Sequence, residues 1–536
     1  MRLRAFDEAL DQGIRNGSTE KFGTFPFKDM TFSIGMFSIY DENLLYEYHH
    51  TAAEVVNSSA GVHKADANSI YRIGSISKLL TVYIFLIKEG FSRWEHSVAK
   101  YVPELADASQ NLTSANGILG DWNEVTIGDI AGQLSGAARD LALNDLGGLP
   151  GAPELHSDQI SECDRFDPVT DAYKECNEQQ YLHGLSKVPA MWQPGHTPTY
   201  SNAGYALLGL ILERITRKSY TSLFQETLIE PLNLTSTTIF APNATKNAII
   251  PTNDTSSLFS TNLGFLNPSG SIYSTTFDLS KIGRSILNST LLSRGVTNRW
   301  LKPRTFTTDF RPQGGFVGVG EPWEIYISSN TSTKLVVELY TKGGGWGAYF
   351  TYLMLIPAYG VGFTFMTAST IQKNNEVLKG LVSLAIDIVL PGLFDAAKAE
   401  AKEKFTGTFR GSNETSSVTI TTDQYPGLRV QEFMANGVDQ LTTPFGVQDG
   451  SGKYVDLRLF PNELYCSDSR KVGFTGVWDI LPREENDVLT PCSSWNLVDA
   501  PTWGSVGLAD YVFEVDEMGK AFKVSPKAYR MTLEKR

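Results

Sequence analysis

Three short stretches of the chain carry side chains able to do covalent chemistry. Ser75-Ile76-Ser77-Lys78 follows Gly74 and opens an apolar run that Gly90 stops. Positions three apart on a helix share a face, so the Ser75 hydroxyl and the Lys78 amine fall within hydrogen-bonding reach of each other. A serine hydroxyl attacks a carbonyl only when a base takes its proton, and a lysine desolvated in a cleft has the lowered pKa that lets it serve. A helix N-terminus at Ser75 adds a positive end that favours a developing alkoxide. The pattern S-x-x-K is expected about once or twice by chance in 536 residues, so an ordinary helix start explains it equally well in isolation.

The second stretch is Gln193 to Asn202, a turn-rich loop that presents Tyr200 and Asn202 just ahead of an apolar helix. A tyrosine beside a lysine exists partly as phenolate, a second candidate base, and the Asn202 amide could donate to a substrate or to Lys78. Taken alone, such a tyrosine is more often packing. The third is Tyr340-Thr341-Lys342-Gly343-Gly344-Gly345-Trp346-Gly347, lying between strand patterns. Its glycines would let a substrate lie against the backbone while Lys342 offers a fixed positive charge; alone, it reads as a glycine-rich hairpin or bulge with a solvated lysine.

Elements must hold these stretches. Residues 32–40 and 43–50 read as a strand hairpin turned at Asp41 and Glu42. Ser75 to Glu89 and Ala203 to Arg217 read as helices, the second with one apolar stripe of Leu207, Leu208, Ile211, Leu212 and Ile215. Residues 334–340, 346–356 and 360–367 are rich in branched and aromatic side chains and suit adjacent antiparallel strands. Strands at both ends with helices between them predict an α+β fold, an antiparallel sheet flanked by helices around an inserted helical region. Past a charged run at Lys398 to Lys404, short strands at 406–409, 417–421, 427–433, 455–460 and 511–515 predict a separate C-terminal antiparallel β domain, barrel or sandwich. The expected division is 1–400 and 401–536. Two domains also suit a chain too long for one core.

Composition excludes other classes. A hydrophobic fraction of 41% and a charged fraction of 20% are ordinary for a globular chain, and a net charge of -13 opposes binding to nucleic acid. The apolar stretches, Leu378 to Phe394 among them, are short or interrupted by a charge such as Asp387, so none reads as membrane-spanning. Seven histidines occur without H-E-x-x-H, and no G-x-S-x-G elbow, complete phosphate loop or C-x-x-C is present. No metal site or cofactor is expected, and His49-His50 reads as a strand-end pair.

Cys163, Cys176, Cys466 and Cys492 permit three pairings, of which Cys163–Cys176 with Cys466–Cys492 is the economical one. Asn16, Asn57, Asn111, Asn233, Asn243, Asn253, Asn288, Asn330 and Asn413 head N-x-S/T sequons, about twice the random expectation. Sequons and paired cysteines together point to a eukaryotic secretory route, and the opening Met1-Arg2-Leu3-Arg4 lacks an apolar core, as expected once a leader has been removed.

The ordered set S-x-x-K, Y-x-N, K-x-G resembles the signature of the serine penicillin-recognising family, and the chain looks like its class C β-lactamase, carboxylesterase and D-aminopeptidase branch. Tyr71 to Ser75, Val125 to Asp129 with Gln133 to Gly136, Pro231 to Thr235, and Gly270 to Leu279 resemble further family elements, so the likeness spans roughly residues 25–390. It implies that Ser75 is the acylated nucleophile, that Lys78 and Tyr200 share proton transfer, and that Asn202, Lys342 and Gly344 bind substrate. The N–H groups of Ser75 and Gly345 would form the oxyanion hole. Two departures matter. Gly343 stands where the lactamase pattern has threonine, so a hydroxyl that helps hold a β-lactam carboxylate is missing, and ester or amide turnover is favoured over antibiotic hydrolysis. Gln133 stands where many relatives have histidine, with no role assigned. The long stretch Ala137 to Pro189, with its cysteine pair, is expected to border the cleft and shape substrate choice. The implied activity is a serine hydrolase acting on a small-molecule ester or amide through an acyl-enzyme. An acyltransferase acting on a natural product and a silent secreted binding protein are the alternatives, and oligomeric state is not readable.

Overall fold

The computed structural model describes residues 2–536 apart from 20–22, 25, 109–112, 115–116, 119, 147–150, 152–159, 168–171, 244–246, 309–315, 331–334, 372, 413, 446–451, 465–469 and 482–497. Cys466, Cys492, Asn111 and Asn413 lie outside the described residues. The chain divides into two compact units, Met1–Ser328 with Val337–Val389, and Ser329–Val336 with Leu390–Arg536.

The first unit begins with helix α1, Arg2–Asn16, whose Phe6, Leu10 and Gly13 form the buried stripe. A hairpin follows, β1 (Thr31–Ser38) and β2 (Asp41–His50). Its turn is Ile39-Tyr40 rather than the expected Asp41-Glu42, because Ser38 pairs with Asp41 and the Ile39 amide is anchored on the Gly360 carbonyl at 2.9 Å. Next come α2 (Ile76–Glu89) and α3 (Asn202–Thr216). α2 is buried on every side from Ile76 to Leu86, and α3 from Ala203 to Leu212. A helix apolar all round belongs in a core. Gly209 brings α3 onto Pro268, whose ring atom lies 2.2 Å from where a Cβ would stand.

After α4 (Thr276–Leu287) the chain forms β3 (Thr305–Thr308), β4 (Phe316–Val319), β5 (Glu324–Asn330), β6 (Leu335–Trp346), β7 (Tyr349–Ile356) and β8 (Val361–Ala368). With the opening hairpin these make one eight-stranded sheet in the order β3-β4-β5-β6-β7-β8-β1-β2. Every pair whose register is described runs antiparallel. Cross-strand partners share a face. Ile34 and Met36 therefore share one with Tyr48 and Tyr46, whose hydroxyls donate to Asp11 and Asp7 of α1 at 2.6 and 2.7 Å. Gly35 and Phe37 face the other way and meet Thr276 and Gly283 of α4. The sheet is thus covered on both faces, the α+β arrangement expected. The glycine run 343–345 lies inside β6 and not between two strands, since it pairs continuously with residues 350–352 of β7.

Helix α5, Asn374–Phe405, corrects the expectation that no segment is long and apolar enough to span a membrane. It runs on through Pro391 and past Phe394, and by length and composition it passes that test, with half of its apolar window buried. Val377, Leu378, Leu381, Ala385 and Val389 form the buried stripe.

The second unit resolves barrel against sandwich. Strands β9 (Gly407–Arg410), β10 (Ser417–Thr421), β11 (Leu428–Ala435), β12 (Tyr454–Pro461), β13 (Lys471–Leu481), β14 (Asp510–Val515), β15 (Ala521–Pro526) and β16 (Leu533–Lys535) each pair antiparallel with the next. β16 returns to β9, closing the barrel. Eight strands leave room only for side chains or one small ligand, and Phe409, Ile420, Leu457, Phe474, Phe513 and Leu533 pack as one core. β13, β15 and β16 were not expected. In β13, Gly476 reads as a strand breaker, yet it packs there against the Tyr511 ring and Leu457.

Candidate active site

Ser75 is the N-cap of α2 and makes no side-chain capping bond. A serine at that position ordinarily spends its hydroxyl on the helix. Here Ser77 takes part of the local load, donating to the Gly74 carbonyl at 2.7 Å and accepting from the Ile272 amide at 3.1 Å. The Ser75 Oγ is left to two other groups, Lys78 Nζ at 3.0 Å and the Tyr200 hydroxyl at 2.6 Å. Lys78 is fully buried and also donates to the Ser269 carbonyl at 2.7 Å.

Tyr200 reaches the serine from the loop before α3. Its neighbour Ser201 caps α3 by accepting from Gly204 N, and the Ser201 amide donates to Gln133 Oε1 at 2.7 Å. The Thr199 amide donates to the Gln133 carbonyl, also at 2.7 Å. Gln133, held at φ 60°, therefore braces the residues on both sides of Tyr200. That gives a structural duty to a position the sequence left without one.

Three cations surround the Tyr200 ring, with Lys78 Nζ at 5.0 Å, Lys342 Nζ at 5.5 Å and the Arg139 guanidinium at 4.7 Å from its centroid. Burial alone would push the Tyr200 pKa up, but the charges of Lys78 and Lys342 and the bonds from Ser75 and Lys78 hold it below its ordinary value. Burial lowers the Lys78 pKa, and repulsion from Lys342 adds to that against the pull of Tyr200. A hydroxyl held between a lysine pushed down and a phenol pushed down has two routes for its proton.

β6 supplies the opposite wall. An ideal Cβ on Gly344 would lie 2.0 Å from the Ile73 carbonyl and 2.8 Å from Ser75 N, and one on Gly74, at φ 49°, would lie 2.4 Å from Gly345 N. The glycines seat the nucleophile's backbone directly on the strand. Gly343 N–H points away from β7, donating to Glu324 Oε2 at 3.1 Å. Alternate amides along a strand point the same way, so Gly345 N–H points off the same edge, beside Ser75. The backbones that carry the Ser75 and Gly345 amides are thus close neighbours.

Lys342 is 2% exposed, and its ammonium lies 2.5 Å from Glu324 Oε1. Burial would lower its pKa, but the Glu324 carboxylate outweighs that and raises it. Asn202 does not reach toward Lys78: its amide donates to Asp140 Oδ1 at 2.6 Å. Glu324, Asp140 and Arg139 belong to the candidate site by position, and no motif flagged them. Glu324 would be legible only from the packing of β5 beside β6, where the Thr341 hydroxyl donates to the Glu324 main-chain carbonyl at 2.6 Å.

A cleft of about 490 Å³ joins Ser75, Tyr200, Asn202, Lys342, Gly344 and Gly345. Its other lining is largely apolar, with Phe166, Leu258, Leu263, Trp346 and Phe350. Phe166 comes from the stretch closed by the Cys163–Cys176 disulfide, which forms as expected. Next to Cys163, buried Asp164 accepts from the amides of Leu141 and Ala142 at 3.0 and 3.3 Å and from the Tyr173 hydroxyl at 2.7 Å. It thereby fixes the segment that carries Arg139 and Asp140. Among the described residues no group of three or more His, Cys, Asp or Glu side chains is placed to hold a metal ion. His49 and His50 bond to Ser33 Oγ and the Lys28 carbonyl instead.

The sequence profile described as "Beta-lactamase" matches residues 46–385, more than half of the chain. The chain belongs to the β-lactamase family. A second profile, "Beta-lactamase-like-like, C-terminal domain", covers residues 397–536. The "Beta-lactamase-like protein" of Arthroderma benhamiae is 27% identical over 96% of this chain and 88% of its own length. "Probable hydrolase clz13" of Cochliobolus lunatus is 26% identical over 92% and 83%. The solved β-lactamase/D-alanine carboxypeptidase from Yersinia pestis aligns over 73% of this chain and all of its own, with a TM-score of 0.50 at 18% identity, a likeness of fold.

Proposed function

We propose that the protein is a serine hydrolase that cleaves a small ester or amide through an acyl-enzyme on Ser75. One observation carries this reading: the Ser75 hydroxyl is unused by its helix and sits 3.0 Å from Lys78 Nζ and 2.6 Å from the Tyr200 hydroxyl. The proton of Ser75 passes to the Lys78–Tyr200 pair as Oγ bonds to the carbonyl carbon. The tetrahedral oxyanion lies against Ser75 N–H and Gly345 N–H. Collapse breaks the bond to the leaving group, which takes the proton back, and water then releases the acid by the same route. Asn202, Lys342 and Gly344 border the bound substrate.

The hydrolase domain is proposed to end near residue 400. Asn16, Asn57, Asn233, Asn243 and Asn288 are exposed, and Asn253 partly so, in keeping with glycosylation along a secretory route, with which the disulfide is compatible.

The test is labelling with a fluorophosphonate together with turnover of short-chain 4-nitrophenyl esters. Wild type is expected to label once and turn over, and Ser75→Ala to lose both by at least about 1,000-fold. A wild-type protein that neither labels nor turns over any ester is a silent binding protein. Intact mass with an added alcohol acceptor separates hydrolysis from transfer.

A further inference from the structure

Glu324 does something in this cleft that acyl transfer does not require. β5 begins at Glu324, and past Thr341 the residues of β6 from Lys342 to Trp346 line the cleft. That stretch offers an incoming substrate two features that attract a carboxylate or an extended peptide, a buried ammonium on Lys342 and an outward N–H on Gly343. Glu324 occupies both. Oε1 lies 2.5 Å from Lys342 Nζ and Oε2 accepts from Gly343 N–H at 3.1 Å. Lys342 Nζ also donates to the Gly343 carbonyl at 2.9 Å. The carboxylate is one-third exposed, so it faces the cleft and is not sealed in the core.

We propose that Glu324 is an internal anion standing where a substrate's carboxylate would bind, so that the site takes uncharged esters and amides and turns away those with a carboxylate near the scissile bond. The proposal rests on the serine-hydrolase reading above. It is independent of the Gly343 departure, which removes a hydroxyl; here a negative charge is added. A second carboxylate approaching Lys342 meets repulsion from Glu324 and finds the ammonium already compensated, while Arg139 in the same lining is paired with Asp140 at 3.3 Å. The apolar lining of Phe166, Leu258, Trp346 and Phe350 suits an uncharged acyl or alkyl group at the same cleft.

The experiment compares kcat/KM within two matched pairs, 4-nitrophenyl butyrate against 4-nitrophenyl hemisuccinate, and methyl 3-acetoxybenzoate against 3-acetoxybenzoate. Wild type is expected to prefer the neutral member by about tenfold or more in at least one pair, the scale of one charge-assisted hydrogen bond. Glu324→Gln should narrow that preference to about threefold or less, whereas Glu324→Asp, which keeps the charge, should retain most of it. A merely structural role would slow both members of a pair together and leave the ratio where it was. A variant-free measurement runs alongside: benzoate should protect wild-type Ser75 from the fluorophosphonate about tenfold less well than benzamide. If Ser75-dependent turnover is present but the ratio is the same in wild type and Glu324→Gln, or benzoate protects as well as benzamide, the Glu324 proposal fails alone. If wild type turns over no ester and does not label, the hydrolase reading fails and takes this proposal with it.

Discussion

Gly344→Ala tests how the strand seats the nucleophile. The added methyl carbon would stand 2.0 Å from the Ile73 carbonyl oxygen, 2.8 Å from Ser75 N and 2.9 Å from Thr351 Oγ1. Two of these are backbone atoms, which no side-chain rotation relieves, so residues 73–75 must withdraw from β6 by more than about 1 Å to reach ordinary contact. The same movement carries Ser75 N–H away from Gly345 N–H and Ser75 Oγ away from Tyr200, whose hydroxyl is 2.6 Å distant. A displacement of about 1 Å at reacting atoms costs on the order of 100-fold in rate. Overpacking itself costs about 1–3 kcal/mol, a melting shift of only several degrees. The assay is kcat/KM on a neutral 4-nitrophenyl ester, the second-order rate of fluorophosphonate labelling, and the melting temperature. Gly295→Ala makes the same chemical change in the helix Arg294–Trp300 with nothing within 4 Å, and should leave turnover intact while raising stability by up to about 1 kcal/mol. Should Gly344→Ala keep a third or more of wild-type turnover, the glycine run does not serve to seat the serine, and the oxyanion geometry argued from it is wrong.

Two further outcomes follow from the charges. Lys342→Met removes a cation that holds the Tyr200 pKa down, so the pH below which the rate falls should move upward and turnover at neutral pH should drop about tenfold or more; an acid limb that stays in place would sink the assignment of Tyr200 as a base. Burial raises Asp164 from 3.8 to about 6, so its folded pKa lies above its unfolded one. Its contribution to stability is then full below about pH 3.8 and lost as pH rises through about 6, by at most roughly 3 kcal/mol. The unfolding free energy of wild type minus that of Asp164→Asn should therefore decrease between pH 4 and pH 7, and a difference that is flat or rises across that range contradicts the burial argument.

Some of this site is visible before any coordinates. The three-residue spacing of Ser75 and Lys78 fixes their shared helix face, because 3.6 residues per turn leaves no other arrangement once the segment is helical. Gly90, at φ 57°, and the capping serine at 201 are where start and stop residues belong, so α2 and α3 fall within a residue or so of their expected bounds. The antiparallel β strands near 340–368 follow from their branched and aromatic content for the same local reason.

What no local rule contains is which edge of β6 stays open and what fills it. The sequence separates Glu324 from Lys342 by 18 positions and Tyr200 from Ser75 by 125, and only the register of β5 on β6 and the packing of α3 beside α2 turn those intervals into contacts. The glycine run reads as a turn because its residues have no side chains to show a strand; it pairs as a strand, with the Ile73–Ser75 backbone where a Gly344 side chain would be and the Tyr352 and Phe350 rings beside Gly343 and Gly345. Barrel closure is decided in the same way, since β16 meets β9 only after the six barrel strands between them have set the curvature. Composition and spacing determine which groups are able to react; long-range packing determines their distances, their desolvation and hence their charge.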